Sequence, residues 1–194
     1  DQDHDGSHIK GLILNLFHSH WPELLKLDYV NCMVTPIVKS TKGKVVKEFY
    51  TLTDYNAWKE KVNSSLWSIK YYKGLGTSNS KEAKEYFKTL KVNQYKVDEK
   101  TDDSMVLAFK KTEADRRKEW LKTYDSEEIL DYNQEETRVE DFIDREFKHF
   151  SNSDCLRSIG SVVDGLKVSQ RKILYSCFKR KLYSEIRVAQ LSGY

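Results

Sequence analysis

Apolar residues recur at helical spacing almost from the first position. In SHIKGLILNLFHSHW, Ile9, Leu12, Ile13, Leu16 and Phe17 fall three and four apart, the period that gathers side chains on one helix face. Ser7 stands where a hydroxyl can cap the start. Pro22 opens a new turn. Beyond it DYVNCMVTPIVK alternates, with Val30, Cys32 and Val34 on one face, and a turn at Thr41 to Gly43 leads into KVVKEFYTL. That pattern predicts a β-hairpin. Thr53 or Asp54 can cap a short helix running to Val62, after which SLWSIKYY reads as strand and KGLGTSNS breaks it. A helix over SKEAKEYFKTLK follows, its start marked by Asn79 and Glu82 at capping-box spacing. Strands and helices alternate through residue 91, the pattern of an α/β fold.

From Thr112 the pattern turns helical. TEADRRKEWLKTY is followed by an acidic stretch and then by TRVEDFIDREFKHF, in which Thr137 and Glu140 repeat the capping-box spacing. Residues 112–150 therefore read as a helical connector. The last segment, SIGSVVDGLKVSQRKILYSCFKRKL, predicts a turn at Asp164 and Gly165 and then a basic helix that Ser169 can cap.

Composition narrows the class. The chain has 194 residues, of which 39% are hydrophobic and 12% aromatic, enough to bury a core. The longest apolar run, GLILNLF at 11–17, is well short of the ~20 residues that cross a bilayer, and no basic-then-apolar leader precedes it. Neither membrane nor export is indicated. Cys32, Cys155 and Cys177 form an odd set without a CxxC pair, which argues against a disulfide framework or thiolate metal site and for a reducing, intracellular setting. Net charge is +3 but unevenly spread: Tyr124 to Glu146 holds ten acidic and two basic residues, Phe147 to Tyr194 nine basic and three acidic. The C-terminal part is suited to face a polyanion. No initiator methionine opens the chain, so it reads as part of a longer protein.

The chemistry begins at DQDHDG, residues 1–6. Aspartates at alternate positions of an extended loop place their carboxylates on one side, roughly 6–7 Å apart. Such like charges repel unless solvent screens them or a cation binds. On the residues alone, a solvated acidic turn and a cation site both remain open. Hard oxygen ligands favour magnesium, calcium or manganese over zinc. A calcium EF-hand loop also begins D-x-D-x-D-G, but it needs a glutamate at its twelfth position, where this chain has Leu12. A magnesium site at the end of a strand fits better. His18 and His20 lie two apart on the expected helix and face different ways, so they read as surface residues.

Three basic features accompany the acidic one. Gly74 and Gly76, beside Lys73, sit between a strand and a helix start, where backbone N–H groups can approach an anion. Lys167, Arg171 and Lys172 crowd the start of the basic helix, where cations oppose the helix dipole unless a phosphate is bound. Arg116, Arg117 and Lys118 form a third cluster. Each alone reads as a solvated face, whereas together with a magnesium-type loop they favour nucleic acid.

These residues carry a resemblance. DQDHDGSHIKGL resembles the aspartate motif and following helix of the TOPRIM domain of the type II DNA topoisomerase family. KYYKGLGTSNSKEAKEYF, ADRRKEWL, FSNSD and VVDGLKVSQRKILYSCFKR occur in the order found in its eukaryotic members. The likeness spans essentially the whole chain. It implies an α/β fold: a partial, Rossmann-like TOPRIM domain with its KGLG extension at 1–107, a helical connector at 108–157 and the start of a winged-helix domain at 158–194. Asp1, Asp3 and Asp5 are then the ligands of Mg2+, for which Mn2+ or Ca2+ can substitute, and Asp1 and Asp3 act catalytically through the metal. Lys73, Arg117, Lys118 and Lys167 match DNA-contacting positions, and Arg171 and Lys172 line the same surface.

The resemblance also implies double-stranded DNA and a second copy of the chain as partners, with no membrane, a nuclear location, and ATP bound outside this stretch. In the family, a tyrosine attacks a DNA phosphate, a second duplex passes through the gap, and the break is resealed. A glutamate-containing motif lies upstream of the matching residues and the nucleophilic tyrosine downstream; Tyr194 is not matched to it. The stretch alone is expected to bind magnesium and DNA without cleaving. Another TOPRIM enzyme, a nuclease or primase, would explain the aspartates but not KGLGT or DGLKVSQRK, and a calcium-binding module is opposed by Leu12. Two departures stand out: Val168 and Gly160 occupy positions where the family usually has proline. Both are expected to loosen the entry to the basic helix.

Overall fold

The computed structural model describes residues 3–27, 29–72 and 77–194 and divides into two compact units, Asp1–Phe150 and Ser151–Tyr194. The architecture is α/β, as the alternation of elements implies. Among the described residues no helix is long and apolar enough to cross a membrane.

The first unit opens on α1 (His4–His20), capped by Asp3 rather than Ser7: one Asp3 carboxylate oxygen accepts the Gly6 N–H at 2.8 Å. The helix does not turn its large apolar residues inward. Its buried positions are Gly6, Ser7, Gly11 and Leu14, while Ile9 is 56% exposed and Leu12, Ile13 and Leu16 are each nearly half exposed. Small residues are on the inner face because the helix packs at very short range. A Cβ on Gly11 would lie 2.5 Å from Phe147 Cε2.

After α2 (Pro22–Lys26), β1 (Asn31–Met33) pairs antiparallel with β5 (Val92–Lys96) in the register Asn31 opposite Gln94 and Met33 opposite Val92. On the other side β5 pairs in parallel with β6 (Glu136–Arg138), Tyr95 opposite Thr137. The capping box expected at Thr137 and Glu140 is therefore absent. Thr137 is buried in the ladder, Arg138 takes the N-cap position, and α7 (Val139–Phe142) starts after it. Sheet pairing with β5 overrides the local signal. Helix continues from α7 through a π-helical turn, Ile143–Phe147, into α8 (Lys148–Ser158). Residues 112–150 are thus not a purely helical connector, since they supply a strand and much of the core. That core gathers Leu14, Leu25, Tyr95, Met105, Val139, Phe142, Ile143, Phe147 and Phe150, with Met105 from α5 (Thr101–Phe109).

A second, antiparallel sheet has the order β3 (Val45–Phe49), β2 (Val38–Lys42), β4 (Ser68–Tyr71). The expected hairpin is β2–β3, with Lys42 opposite Val45. Gly43 takes φ +58° at the first central position of its two-residue turn, where glycine is favoured. Thr51, not Thr53 or Asp54, caps α3 (Leu52–Lys61) by accepting the Asp54 N–H at 3.1 Å. The Asn79–Glu82 capping box is present at the start of α4 (Ser80–Lys88). The Glu82 carboxylate also accepts from Lys70 at 2.8 and 3.0 Å and from the Tyr72 hydroxyl, tying β4 to α4 across the flanks of the KGLGT run.

In the second unit a tight loop leads to α9 (Val168–Lys179) and later α10 (Val188–Gly193). Gly165 has φ +71° and donates its N–H to Ser161 O at 2.7 Å, while Ser161 N donates to Leu166 O at 3.0 Å. A Cβ on Gly160 would lie 2.5 Å from Gly165 O. Glycine is what this close approach requires, so Gly160 tightens the loop rather than loosening it. Ser169 does not cap α9. Lys167 is the N-cap residue, and its N–H donates to Gln170 Oε1 at 2.8 Å.

Candidate metal and nucleic-acid site

The acidic start is not extended beyond Asp3. Helix begins at His4, so Asp5 lies in the first turn of α1 and Asp3 caps it; Asp1 lies outside the described residues. Residues two apart on a helix point in different directions, so Asp3 and Asp5 do not share one side as an extended run would. The conformation has a local cause. A carboxylate at the N-cap satisfies an otherwise orphaned N–H, and a second in the first turn complements the helix dipole. It also leaves no twelve-residue loop of the kind calcium needs, because residues 4–12 are helical.

Among the described residues no three His, Cys, Asp or Glu side chains converge closely enough to hold a metal. The described donors are the two carboxylates of Asp3 and Asp5. Magnesium commonly takes one or two protein carboxylates and completes its shell with water and substrate phosphate, so the donor set fits a divalent cation of that class.

Directly behind the acidic start is a buried polar cluster that no sequence motif announces. Glu146, in the π turn, accepts from Ser7 Oγ at 2.8 Å, from the Tyr132 hydroxyl, and pairs with the Lys10 ammonium. Lys10 Nζ also donates to Tyr132 Oη at 3.1 Å. Burial first, and then the Glu146 charge, pushes the Tyr132 and Tyr95 hydroxyls well above the usual tyrosine range. Burial likewise pushes the Cys32 thiol up. Two histidines of the opening segment contact α8: His8 stacks on Phe150 with centroids 4.1 Å apart, and His4 stacks on His149 at 6.2 Å. His18 bonds Asp102 at 2.7 Å, and His20 packs on Trp21.

The basic candidates differ in how their charge is used. Lys73, with Gly74 and Gly76, lies outside the described residues. On α6 (Ala114–Lys122), Arg117 Nη1 donates to Leu107 O at 3.0 Å and Lys110 O at 2.7 Å, closing the end of α5. Lys118 pairs with Asp115 at 2.7 Å and is well exposed, and Arg116 pairs with Asp103 and Glu113. In the second unit Lys167, Arg171 and Lys172 gather at the start of α9. Arg171 pairs with Asp164 at 2.8 Å; that bond, with the Leu166 N–H, holds the Asp164 carboxyl below the usual range.

Residues 33–155 match the family model of the C-terminal associated domain of TOPRIM, and residues 157–194 match the DNA gyrase/topoisomerase IV family model. The whole chain is 48% identical over 200 residues to the mitochondrial DNA topoisomerase 2 of Dictyostelium discoideum, covering 16% of that protein. It is 47% identical over 209 residues to human DNA topoisomerase 2-alpha, covering 14%. The chain thus spans about one-seventh of the length of the curated relatives it matches. Among solved structures, the DNA-binding, cleavage and re-ligation domain of Plasmodium falciparum topoisomerase II superposes with a TM-score of 0.85 at 44% identity, over 100% of this chain and 27% of that one. With its α/β core, acidic helix start and full-length match, the chain belongs to the eukaryotic DNA topoisomerase 2 family.

Proposed function

We propose that this chain is part of the DNA binding and cleavage core of an ATP-dependent type II topoisomerase, which cuts, passes and religates double-stranded DNA. The observation that carries the reading is the acidic opening at the start of α1, with Asp3 fixed as its N-cap, in a chain similar to topoisomerase 2 along its entire length.

Asp1, Asp3 and Asp5 hold Mg2+ in this reading, with Asp1 and Asp3 serving catalysis through it. The bound cation supplies neutralisation of charge at the phosphate oxygens of the cleaved strand. Asp3 presents its carboxylate from a capped, pre-ordered helix end, so little ordering is left to the moment of binding. Lys73, Arg117, Lys118, Lys167, Arg171 and Lys172 contact the DNA backbone, chiefly phosphates, which position the duplex without reading its sequence. Residues 1–107 form the TOPRIM part with its extension and residues 158–194 begin the winged helix; residues 108–157 join them, with much of that segment packed into the TOPRIM-side core. The parent protein acts as a homodimer in the nucleus and binds ATP outside this stretch.

The test is relaxation of supercoiled DNA by the full-length protein. A change in linking number that needs both Mg2+ and ATP and leaves no broken strands supports the reading. Nicking or primer synthesis without topological change overturns it in favour of another TOPRIM chemistry.

A further inference from the structure

The buried cluster behind the acidic start has a geometry that packing alone does not explain. Glu146 is 9% exposed and comes from a π turn, a rare backbone form that recurs at functional sites. Its carboxylate collects three donors: the Ser7 and Tyr132 hydroxyls and the Lys10 ammonium. A buried ion pair gives little stability over apolar residues of the same volume, so its presence at this place calls for another reason.

That reason lies in what Ser7 and Lys10 belong to. Ser7 N donates to Asp3 O at 3.1 Å, closing the first turn of α1, and Gly6 N donates to the Asp3 carboxylate at 2.8 Å. Both of these bonds orient Asp3 through this turn, and Glu146 grips the turn from behind through the Ser7 hydroxyl. One turn further on, Lys10 anchors the same helix to the same carboxylate. We infer that Glu146 is a positioning residue: with Ser7 and Lys10 it fixes the first turn of α1, and through that turn the direction in which Asp3 offers its carboxylate to a divalent cation.

The inference rests on the metal-binding reading of the acidic start, and the two are separable by experiment. In the full-length protein, Mn2+ binding is followed by electron paramagnetic resonance without DNA, and the Mg2+ concentration for half-maximal DNA cleavage is measured alongside it. Three variants are compared: Ser7→Ala, which removes only the hydroxyl bridge, Glu146→Gln, and Asp3→Asn. Removing a group that orients a metal ligand characteristically weakens metal binding about 10–100-fold. Ser7→Ala and Glu146→Gln are expected to weaken Mn2+ binding about tenfold and to raise the Mg2+ requirement in step, with cleavage restored at saturating Mg2+. A purely structural Glu146 would lower the melting temperature but leave the metal titration unmoved, and that result would overturn the inference. Ser7→Ala decides the matter if Glu146→Gln fails to fold. If Asp3→Asn weakens Mn2+ binding and the other two do not, only the positioning role falls. If Asp3→Asn also has no effect, the metal reading falls and takes this one with it.

Discussion

Gly11 lies beneath the ring of Phe147 so closely that a Cβ would sit 2.5 Å from Cε2 and 2.7 Å from Cδ2. The ring is itself held by Phe109, Phe142 and Phe150, so it has little room to withdraw. Gly11→Ala gains up to about 1 kcal/mol in helix propensity and incurs about 1–3 kcal/mol from overpacking. The net effect is a lower melting temperature, with Gly11→Val lower still. A calorimetric series of the three proteins checks the order.

The same contact shows why the face of α1 is misread from sequence. Periodicity weights large apolar residues and selects Ile9, Leu12, Ile13 and Leu16, but burial here goes to Ser7, Gly11 and Leu14 because backbone proximity is what the partner turn demands. Thr137 and Glu140 have sound capping-box spacing, yet Thr137 pairs with Tyr95 in a parallel ladder that no local pattern encodes. Where the determinants are local, sequence suffices: the Asn79–Glu82 box and the Gly43 hairpin are found where expected. Asp3 is legible as a candidate ligand from DQDHDG itself. Glu146 is not, because its bond to Ser7 spans 139 positions and arises only when the π turn packs on α1.

Glu82 links stability to pH. Burial alone would raise its carboxyl, but hydrogen bonds from Lys70, Tyr72 and the Asn79 N–H outweigh it and hold the group at about 2, against 4.5 unperturbed. A carboxyl depressed in the folded state contributes stability that is present above about 4.5 and lost as pH falls toward about 2. Glu82→Gln should therefore melt below the wild type at pH ~7, with the gap shrinking by pH ~3. Melting curves at the two pH values test this.

Arg117 and Lys118, though adjacent, should separate in their effects. Arg117 bonds two carbonyls at the end of α5, and hydrogen bonds from charged groups contribute about 1.5–3 kcal/mol each. Arg117→Ala should lower stability as well as DNA affinity. Lys118 has only an exposed partner in Asp115, so Lys118→Ala should leave the melting temperature nearly unchanged and reduce the slope of log affinity against log salt by about 0.9. Thermal melts and salt titrations of the two variants distinguish them.

The two positions where proline is usual in the family should respond in opposite ways. Val168 is the first residue of α9, preceded by Lys167 at φ −77° and ψ 160°, a conformation compatible with a following proline. Val168→Pro should stabilise by about 0.4–1 kcal/mol. Gly160→Ala or Gly160→Pro should destabilise, because the added carbon meets Gly165 O. Hydrogen exchange at the Gly165 N–H, bonded to Ser161 O, reads the loop directly.

The central claim is that the acidic start of α1 binds the divalent cation used in DNA cleavage. Its most direct test is trapping of covalent protein–DNA adducts by the full-length protein with detergent across a Mg2+ titration, for wild type, Asp1→Asn and Asp3→Asn, with DNA binding measured in chelator as control. The account predicts Mg2+-dependent capture that each substitution reduces by about tenfold or more while DNA binding in chelator persists. Capture at wild-type levels in both variants would contradict it.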